Sequence, residues 1–398
     1  MTPASQTALA LDLLGPDGQG AGALAQSLRP FGESTMLPPA AYTSPEVFAW
    51  EQRQLFAGSW TCVGRVSDLS GHQDGSPVRQ RAVVVGDVPL LLTFSEGAPR
   101  AFANTCRHRG HELLTEDRTS TNQSIVCPYH GWSYRLDGRL RAAPEFRDAA
   151  GFRAEEHHLV EVAAEVWHGW LFVHAARSLD QEPVTSFARH LGALDTVIAA
   201  YSPADLALGA RHSYTVHANW KVLTENYHEC YHCPLIHPEL CQVTPPTSGD
   251  NYDLPGAWVG GSMDLREGMA TMSLTGGTRG RPIPGVDPTR VEYVGLFPNL
   301  LISPHPDYVM THRLVPQAPD RTWVECSWYF TPADPPADPA YAVEFWDLTN
   351  RQDWSACESV QRGLASPHFR PGPLAPSEGA VHRFVTMVGR GYRGEPLA

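Results

Sequence analysis

Short blocks of apolar residues separated by turn residues fill the chain between 57 and 176, and this pattern predicts β-strands. VRQRAVVVGDVPLLLTF reads as two strands that turn at Gly86 and Asp87, and EVWHGWLFVHA closes the region. Immediately upstream, SPEVFAWEQRQLF places Ser44 at an N-cap, Pro45 at the first helical position and apolar residues at helical spacing. These signals predict a short amphipathic helix ahead of the strands.

The second half of the chain mixes strand and helix patterns. RHSYTVHANWKVLTENYHECYH indicates a strand that runs into a helix, and RVEYVGLFPNLLISPHPDYVMTHRLVP with RTWVECSWYFTP indicates antiparallel strands. DPAYAVEFWDLTNRQDWSACESVQRGL has apolar residues at helical spacing, which predicts a long C-terminal helix. We therefore predict an α+β fold, in which a small antiparallel β domain at 57–176 is inserted in a larger α+β domain. The larger domain has an antiparallel sheet flanked by helices and comprises 37–56 and 177–398, while 1–36 form a flexible leader.

The composition is that of a globular protein with a net negative charge. Of the 398 residues 42% are hydrophobic, and the formal net charge of -13 argues against a nucleic-acid partner, which would require clustered Lys and Arg. The N-terminus lacks the basic start of a secretory signal, and no stretch approaches the roughly 20 apolar residues of a membrane span. We therefore expect a cytoplasmic protein. Disulfides are rare in that reducing compartment, so the paired spacings of the 8 cysteines favour metal binding.

Two short stretches, NTCRHRGHELL and VCPYHGWSY, each place a thiol close to an imidazole. Cys106 and His108 form C-x-H, and after 18 intervening residues Cys127 and His130 form C-x-x-H. Four such ligands bind either one Zn²⁺ or a [2Fe–2S] cluster with two thiolates on one iron and two imidazoles on the other. Zinc fingers keep their cysteines together, whereas here each half donates one Cys and one His. Each half is also followed by Gly, which lets the backbone fold tightly around sulfide atoms. The interleaved pattern favours the cluster over a zinc knuckle.

A second set of candidate ligands lies in NWKVLTENYHECYHCPLIHPEL. Glu229 and His232 are three residues apart and share one face of the predicted helix. Pro234 should distort or end that helix, so that His237 returns toward the same point. Two His and one carboxylate form the facial triad of non-haem Fe(II) enzymes. The carboxylate is either Glu229 or an acidic residue of the C-terminal helix such as Asp353.

From about residue 40 onward the chain resembles the α-subunit of Rieske non-haem iron oxygenases. The resemblance rests on the two Cys-His stretches, the two His of the second set, and Asp353 within D-x3-C-E-x-x-Q-R-G on the C-terminal helix. It implies a Rieske domain at 57–176 and a catalytic domain formed by 37–56 with 177–398. It implies that a [2Fe–2S] cluster is bound by Cys106, His108, Cys127 and His130. The mononuclear Fe(II) would be bound by His232, His237 and Asp353.

The resemblance gives Glu229 a separate role. In the family, an acidic residue three positions before the first iron His hydrogen-bonds that His and a Rieske His of the neighbouring subunit. By position, the two histidines here would be His232 and His130. Electrons would then cross the interface of a homotrimer through this residue. The sequence ECYHC, and the ending that follows QRG, resemble the betaine, carnitine and choline monooxygenases. Ring-hydroxylating members usually carry Asp at this position.

The function implied is that of a terminal oxygenase component. A flavin/iron–sulfur reductase would deliver electrons from NAD(P)H, and O₂ would be the co-substrate for oxidation or N-demethylation of a quaternary ammonium compound. A cage of aromatic side chains would bind that cation. The candidates for this cage are Trp258, Tyr293, Phe297 and Tyr308. The alternatives are an aromatic-ring or aryl-carboxylate hydroxylase, a Rieske electron-transfer protein, and a zinc-binding structural module. Cys230 and Cys233, although spaced as C-x-x-C, are interpreted as packing residues around the iron site.

Overall fold

The computed structural model describes residues 9–15, 19–70, 79–115, 118–179, 185–333 and 338–397. The chain divides into two compact units, Glu51–Phe187 and the combination of Met1–Trp50 with Ala188–Ala398. Within the described ranges, no helix is both long and apolar enough to cross a membrane. The α-helices include α1 Gln19–Ser27, α2 Pro39–Thr43, α3 Pro45–Glu51, α4 Ser67–Ser70, α5 Phe187–Leu191, α6 Asp195–Ile198, α7 Trp220–Tyr227, α8 Cys233–Ile236, α9 Pro238–Val243, α10 Ala340–Leu364 and α11 Gly379–Tyr392.

The unit Glu51–Phe187 is built on antiparallel strands. A seven-stranded sheet has the order β1-β10-β9-β4-β3-β2-β5, and a three-stranded sheet has the order β6-β7-β8. The predicted hairpin is confirmed, because β2 and β3 pair from end to end and Gly86 takes the positive φ of 64° that the tight turn requires. These strands are β1 Thr61–Arg65, β2 Gln80–Val85, β3 Val88–Ser95, β4 Ala98–Ala103, β5 Thr119–Ser120, β6 Ser124–Val126, β7 Ser133–Arg135, β8 Leu140–Ala142, β9 Glu161–Trp167 and β10 Trp170–Ser178.

The other unit has one antiparallel sheet of seven strands in the order β11-β17-β16-β15-β14-β13-β12. Helices α7 and α10 contact each other beside this sheet, and α10 is the predicted C-terminal helix. The fold is therefore α+β, as predicted. The strands are β11 Ala207–Val216, β12 Asp250–Asn251, β13 Trp258–Asp264, β14 Arg290–Leu296, β15 Leu300–Pro304, β16 Tyr308–Ala318 and β17 Arg321–Phe330.

The N-terminal part of this unit differs from the flexible leader predicted for 1–36, of which 1–8 and 16–18 lie outside the described residues. Residues 19–27 form α1, which contacts α11. Leu24 is buried there, and a Cβ at Gly389 would lie 2.7 Å from Leu28 Cδ2, so this Gly allows the close approach of the two helices. The sequence does not predict α1, because its small residues and glycines leave few apolar residues at helical spacing.

Candidate functional site

The two Cys-His stretches fold into loops with the same backbone hydrogen bonds. In the first, Cys106 N–H donates to His111 O and Gly110 N–H donates to Cys106 O. In the second, Cys127 N–H donates to the carbonyl oxygen five residues later and Gly131 N–H donates to Cys127 O. Both glycines have positive φ, 74° and 72°, a conformation that other residues adopt only with strain. The Gly in each half is thus required by the turn itself.

These loops bring the four predicted cluster ligands together as a Cys pair and a His pair. Cys106 and Cys127 are both buried and unbridged, and burial raises the pKa of the Cys127 thiol. The rings of His108 and His130 lie 4.7 Å apart, at 77° to each other. Nδ1 of His108 is buried with no hydrogen-bond partner among the described residues. A metal bond would satisfy that orphaned nitrogen and hold the thiols as thiolates, so these residues fit a [2Fe–2S] cluster.

The side chains around the four ligands fix their positions. Tyr134 OH lies 3.3 Å from Cys106 Sγ and accepts a hydrogen bond from Arg107 N–H at 3.0 Å. Trp132 stacks on His108 with the ring planes 9° apart. His130, in contrast, is exposed and faces outward. The histidine side of the site is therefore accessible to a partner while the cysteine side is closed.

Replacing Cys106 with Ser should abolish the red-brown absorption of the purified protein. The serine oxygen is a poor substitute for a soft thiolate ligand, so the cluster is lost. Metal bound at His232, His237 and Asp353 should remain, which iron analysis combined with visible spectroscopy will show. A full Rieske spectrum in Cys106→Ser would mean that another residue holds the cluster.

The second candidate site does not lie on the helix predicted from the sequence. Helix α7 ends at Tyr227, so Glu229 and His232 lie in the turn that follows and not on a helix face. They still meet, because Glu229 Oε2 accepts Tyr231 N–H at 2.5 Å while Oε1 accepts His232 Nδ1–H at 2.5 Å. Pro234 lies in the first turn of α8, so it begins a helix and does not end one.

Three side chains converge at this site within the described residues. His232, His237 and Asp353 have ligand atoms that all lie within 4.8 Å of one another. His232 Nε2 to His237 Nε2 is 3.2 Å, His237 Nε2 to Asp353 Oδ1 is 2.8 Å, and His232 Nε2 to Asp353 Oδ1 is 3.4 Å. Ligands at right angles on bonds of about 2.1 Å are separated by about 3 Å. The three atoms therefore fit one face of an octahedral Fe(II) site.

The charges at this site suit a cation. Burial raises the pKa of Asp353, but hydrogen bonds from His232 and His237 outweigh burial and lower it, so the carboxylate is ionised. Burial lowers the pKa of His232, whereas its hydrogen bonds to Asp353 and Glu229 outweigh this and raise the pKa to about 9. Asp347 and Glu358, two further acidic residues of α10, accept hydrogen bonds away from this site. Tyr214 OH donates to Asp347, and His217 N–H donates to Glu358.

A cavity of about 530 Å³ opens onto the three ligands. Of the four aromatic residues proposed for a substrate cage only Tyr293 lines it, and the other three are buried elsewhere. Tyr227, Tyr231 and Trp346, which lie outside the region proposed for the cage, also line the cavity. Asn226 was also missed, and its Nδ2 lies 3.4 Å from His232 Nε2.

Cys230 and Cys233 also line this cavity, and the interpretation of both as packing residues is wrong. They form a disulfide with Cα atoms 4.9 Å apart. The turn that leads into α8 places the two thiols of C-x-x-C side by side. The two cysteines therefore bond to each other and do not pack as separate side chains.

The comparisons with known proteins agree with both sites. Residues 59–153 match the family described as Rieske [2Fe-2S] domain, and residues 203–394 match the ring hydroxylating alpha subunit (catalytic domain). The glycine betaine monooxygenase oxygenase subunit of Chromohalobacter salexigens is 30% identical over 393 residues, covering 89% of this chain and 84% of that protein. The chain belongs to the Rieske non-haem iron oxygenases. This Rieske oxygenase is therefore an oxidoreductase.

Other relatives of this Rieske oxygenase agree in sequence and fold. The carnitine monooxygenase oxygenase subunit of Acinetobacter baumannii is 30% identical and covers 84% of the chain and 86% of its own length. A solved quaternary ammonium Rieske monooxygenase has a TM-score of 0.74 at 25% identity, covering 93% of this chain and 97% of its own. A naphthalene 1,2-dioxygenase from Rhodococcus has a TM-score of 0.75 at 19% identity, covers 96% of this chain and 99% of its own, and shows the fold alone.

Proposed function

We propose that this Rieske oxygenase is the terminal component of a system that oxidises a quaternary ammonium compound, removing an N-methyl group as formaldehyde. The observation that carries the proposal is the convergence of His232, His237 and Asp353 in a cavity walled by aromatic rings. The names of its relatives, which refer to glycine betaine, carnitine and quaternary ammonium substrates, support the same substrate class. A Rieske electron carrier would have no use for the second metal site.

The cavity offers the groups that a quaternary ammonium ion can use. Such an ion neither donates nor accepts ordinary hydrogen bonds, so aromatic faces and negative charge must attract it. The Tyr227 and Tyr293 rings lie 5.9 Å apart at 69°, and Trp346 adds a third ring. Tyr227 OH donates to Ile302 O at 2.9 Å, which holds its ring in place. Asp250, an acidic residue, also lines the cavity.

When bound, the [2Fe–2S] cluster would supply electrons and the mononuclear iron would activate O₂. Cys106, His108, Cys127 and His130 would hold the first, and His232, His237 and Asp353 the second. The reaction takes O₂, two electrons and two protons, releases water, and converts N–CH₃ into N–CH₂OH. That group then leaves as formaldehyde and the amine is demethylated. The electrons would come from NAD(P)H through a flavin/iron–sulfur reductase. The cytoplasmic location stays a prediction.

Glu229 would connect two copies of the chain. Its Oε1 accepts from His232 Nδ1–H and its Oε2 accepts two backbone N–H groups, so a second lone pair of Oε1 remains for His130 of a neighbouring subunit. Both ends of this proposed contact carry exposed apolar side chains. Near Glu229, Tyr231 is 67% exposed and Leu235 is 90% exposed, and beside His130, Tyr129 is 53% exposed. A head-to-tail contact between different surfaces forms a closed ring when its rotation closes, and we propose the homotrimer that the family resemblance implies as that ring.

Formaldehyde release tests the proposed function. The protein, a reductase, NAD(P)H and O₂ should release formaldehyde with at least one of glycine betaine, carnitine or choline, in step with the O₂ consumed. Benzoate and other aryl carboxylates serve as the comparison substrates. Hydroxylated aryl products without formaldehyde from any ammonium compound would replace the proposal with aromatic hydroxylation.

A further inference from the structure

We propose that Gln352 is a positioning residue that fixes the tautomer of His237. Gln352 directly precedes Asp353 on α10, and its Oε1 lies 2.7 Å from His237 Nδ1. On the other side of the same ring, His237 Nε2 lies 2.8 Å from Asp353 Oδ1. Two neighbouring residues of one helix thus contact the two nitrogens of one imidazole. This inference rests on the iron site proposed above.

The orientation of the Gln352 amide follows from its second contact. Gln352 Nε2 donates to Glu239 Oε2 at 3.3 Å, and an ionised carboxylate only accepts hydrogen bonds. The NH₂ group must therefore face Glu239, which leaves the amide oxygen facing His237. An amide oxygen can only accept, so His237 Nδ1 carries the proton. When His237 binds a metal its ring is neutral, so with the proton on Nδ1 the lone pair is on Nε2, the atom that points at the metal site.

Burial makes this contact difficult to replace. The side chain of His237 is 2% exposed, so water cannot substitute for Gln352 at Nδ1. Without an acceptor there, the Nδ1–H tautomer would leave a buried donor unpaired, and the other tautomer would place the proton on the metal-binding nitrogen. The loss of Gln352 should therefore weaken metal binding without removing a ligand.

The two histidines of the site have different partners at Nδ1. His232 donates to the charged carboxylate of Glu229, whereas His237 donates to the neutral amide of Gln352. The neutral amide orients the ring without adding a negative charge beside Asp353. Glu239 lies in the first turn of α9, the helix that begins directly after His237. The contacts from Glu239 through Gln352 to His237 therefore also connect the segment that carries His237 to α10.

Co²⁺ titration of protein stripped of mononuclear iron, with the cluster intact, tests this role. Gln352→Leu should bind Co²⁺ about 10–100-fold more weakly, the usual cost of losing an outer partner of a metal-bound His. Gln352→Glu combined with Glu239→Gln should recover most of this affinity, because the new carboxylate also accepts Nδ1–H and the new amide at 239 can donate to it. Glu239→Gln should cause a smaller loss, since the amide of Gln352 is then free to flip.

Gln361→Leu is the matched control, with the same change on the same helix. Gln361 Oε1 accepts Asn219 N–H at 2.9 Å, far along α10 from the ligands. Its variant should lower Tm and leave the Co²⁺ affinity unchanged. Wild-type Co²⁺ affinity in both Gln352→Leu and Glu239→Gln would overturn the inference, as would an equal loss in Gln361→Leu. If Asp353→Ala also left Co²⁺ binding unchanged, the proposed iron site itself would be wrong.

Discussion

The Asp353→Ala variant is expected to keep the red-brown colour of the cluster and to lose turnover by more than about 100-fold. Asp353 supplies the only carboxylate within reach of both His232 Nε2 and His237 Nε2 among the described residues, so no neighbour can replace it. Losing an outer partner of a metal ligand already costs about 10–100-fold, and losing a ligand should cost more. Formaldehyde release under steady-state conditions, with the visible spectrum recorded on the same sample, measures both effects.

Asp347→Ala and Glu358→Ala are the matched controls for this change. Both residues lie on α10, and both carboxylates already accept hydrogen bonds away from the cavity. Their variants should turn over at a rate close to that of the wild type. Normal turnover in Asp353→Ala, or its loss in Glu358→Ala, would assign the third ligand to a different residue.

The second large effect is expected for Glu229→Gln, which should keep both metals and slow electron transfer by about 10–100-fold. Glu229 accepts His232 Nδ1–H through Oε1 and backbone N–H through Oε2. An amide can accept through only one of its two atoms, so the variant cannot keep both contacts and also bind a second imidazole. Pre-reduced cluster mixed with substrate and O₂ should reoxidise slowly in this variant, in a single-turnover experiment.

Glu378→Gln provides the comparison for the Glu229 experiment. The carboxylate of Glu378 accepts Ala375 N–H at the start of α11 and makes no hydrogen bond to a metal ligand. Its loss should leave the reoxidation rate unchanged. Wild-type kinetics in Glu229→Gln would contradict the bridge, and would remove the main support for a trimer.

The sequence predicts those parts of the fold that depend on local chemistry. Ser44 Oγ accepts Val47 N–H at 3.2 Å, as its N-cap position requires, and α3 follows. The β2–β3 hairpin forms where Gly86 allows a tight turn. The C-terminal helix forms because its sequence has neither Pro nor Gly to interrupt it until Gly363. The cluster loops are equally local, since each is closed by its own Gly.

The details of the iron site depend on contacts between distant segments, which local patterns do not encode. No Gly or Pro directly follows Tyr227 to mark the end of α7, and the Glu229 side chain forms hydrogen bonds with the backbone of the next turn. Alternate residues of a strand point to opposite sides of a sheet, and the sequence does not say which side faces the cavity. Strand spacing therefore does not identify the aromatic side chains that line it. Gln352 carries no sequence signal, since its partners His237 and Glu239 are more than 100 residues away.

The rate at which substrate triggers reoxidation of the reduced cluster tests the central claim most directly. The protein is reduced anaerobically, mixed with O₂ and either glycine betaine, carnitine, choline or benzoate, and followed by its visible absorption. We expect fast reoxidation with at least one quaternary ammonium compound and slow reoxidation with benzoate. We also expect that one formaldehyde is released for every two electrons consumed. Reoxidation that is equally slow with every ammonium compound, and fast with benzoate, would contradict the central claim.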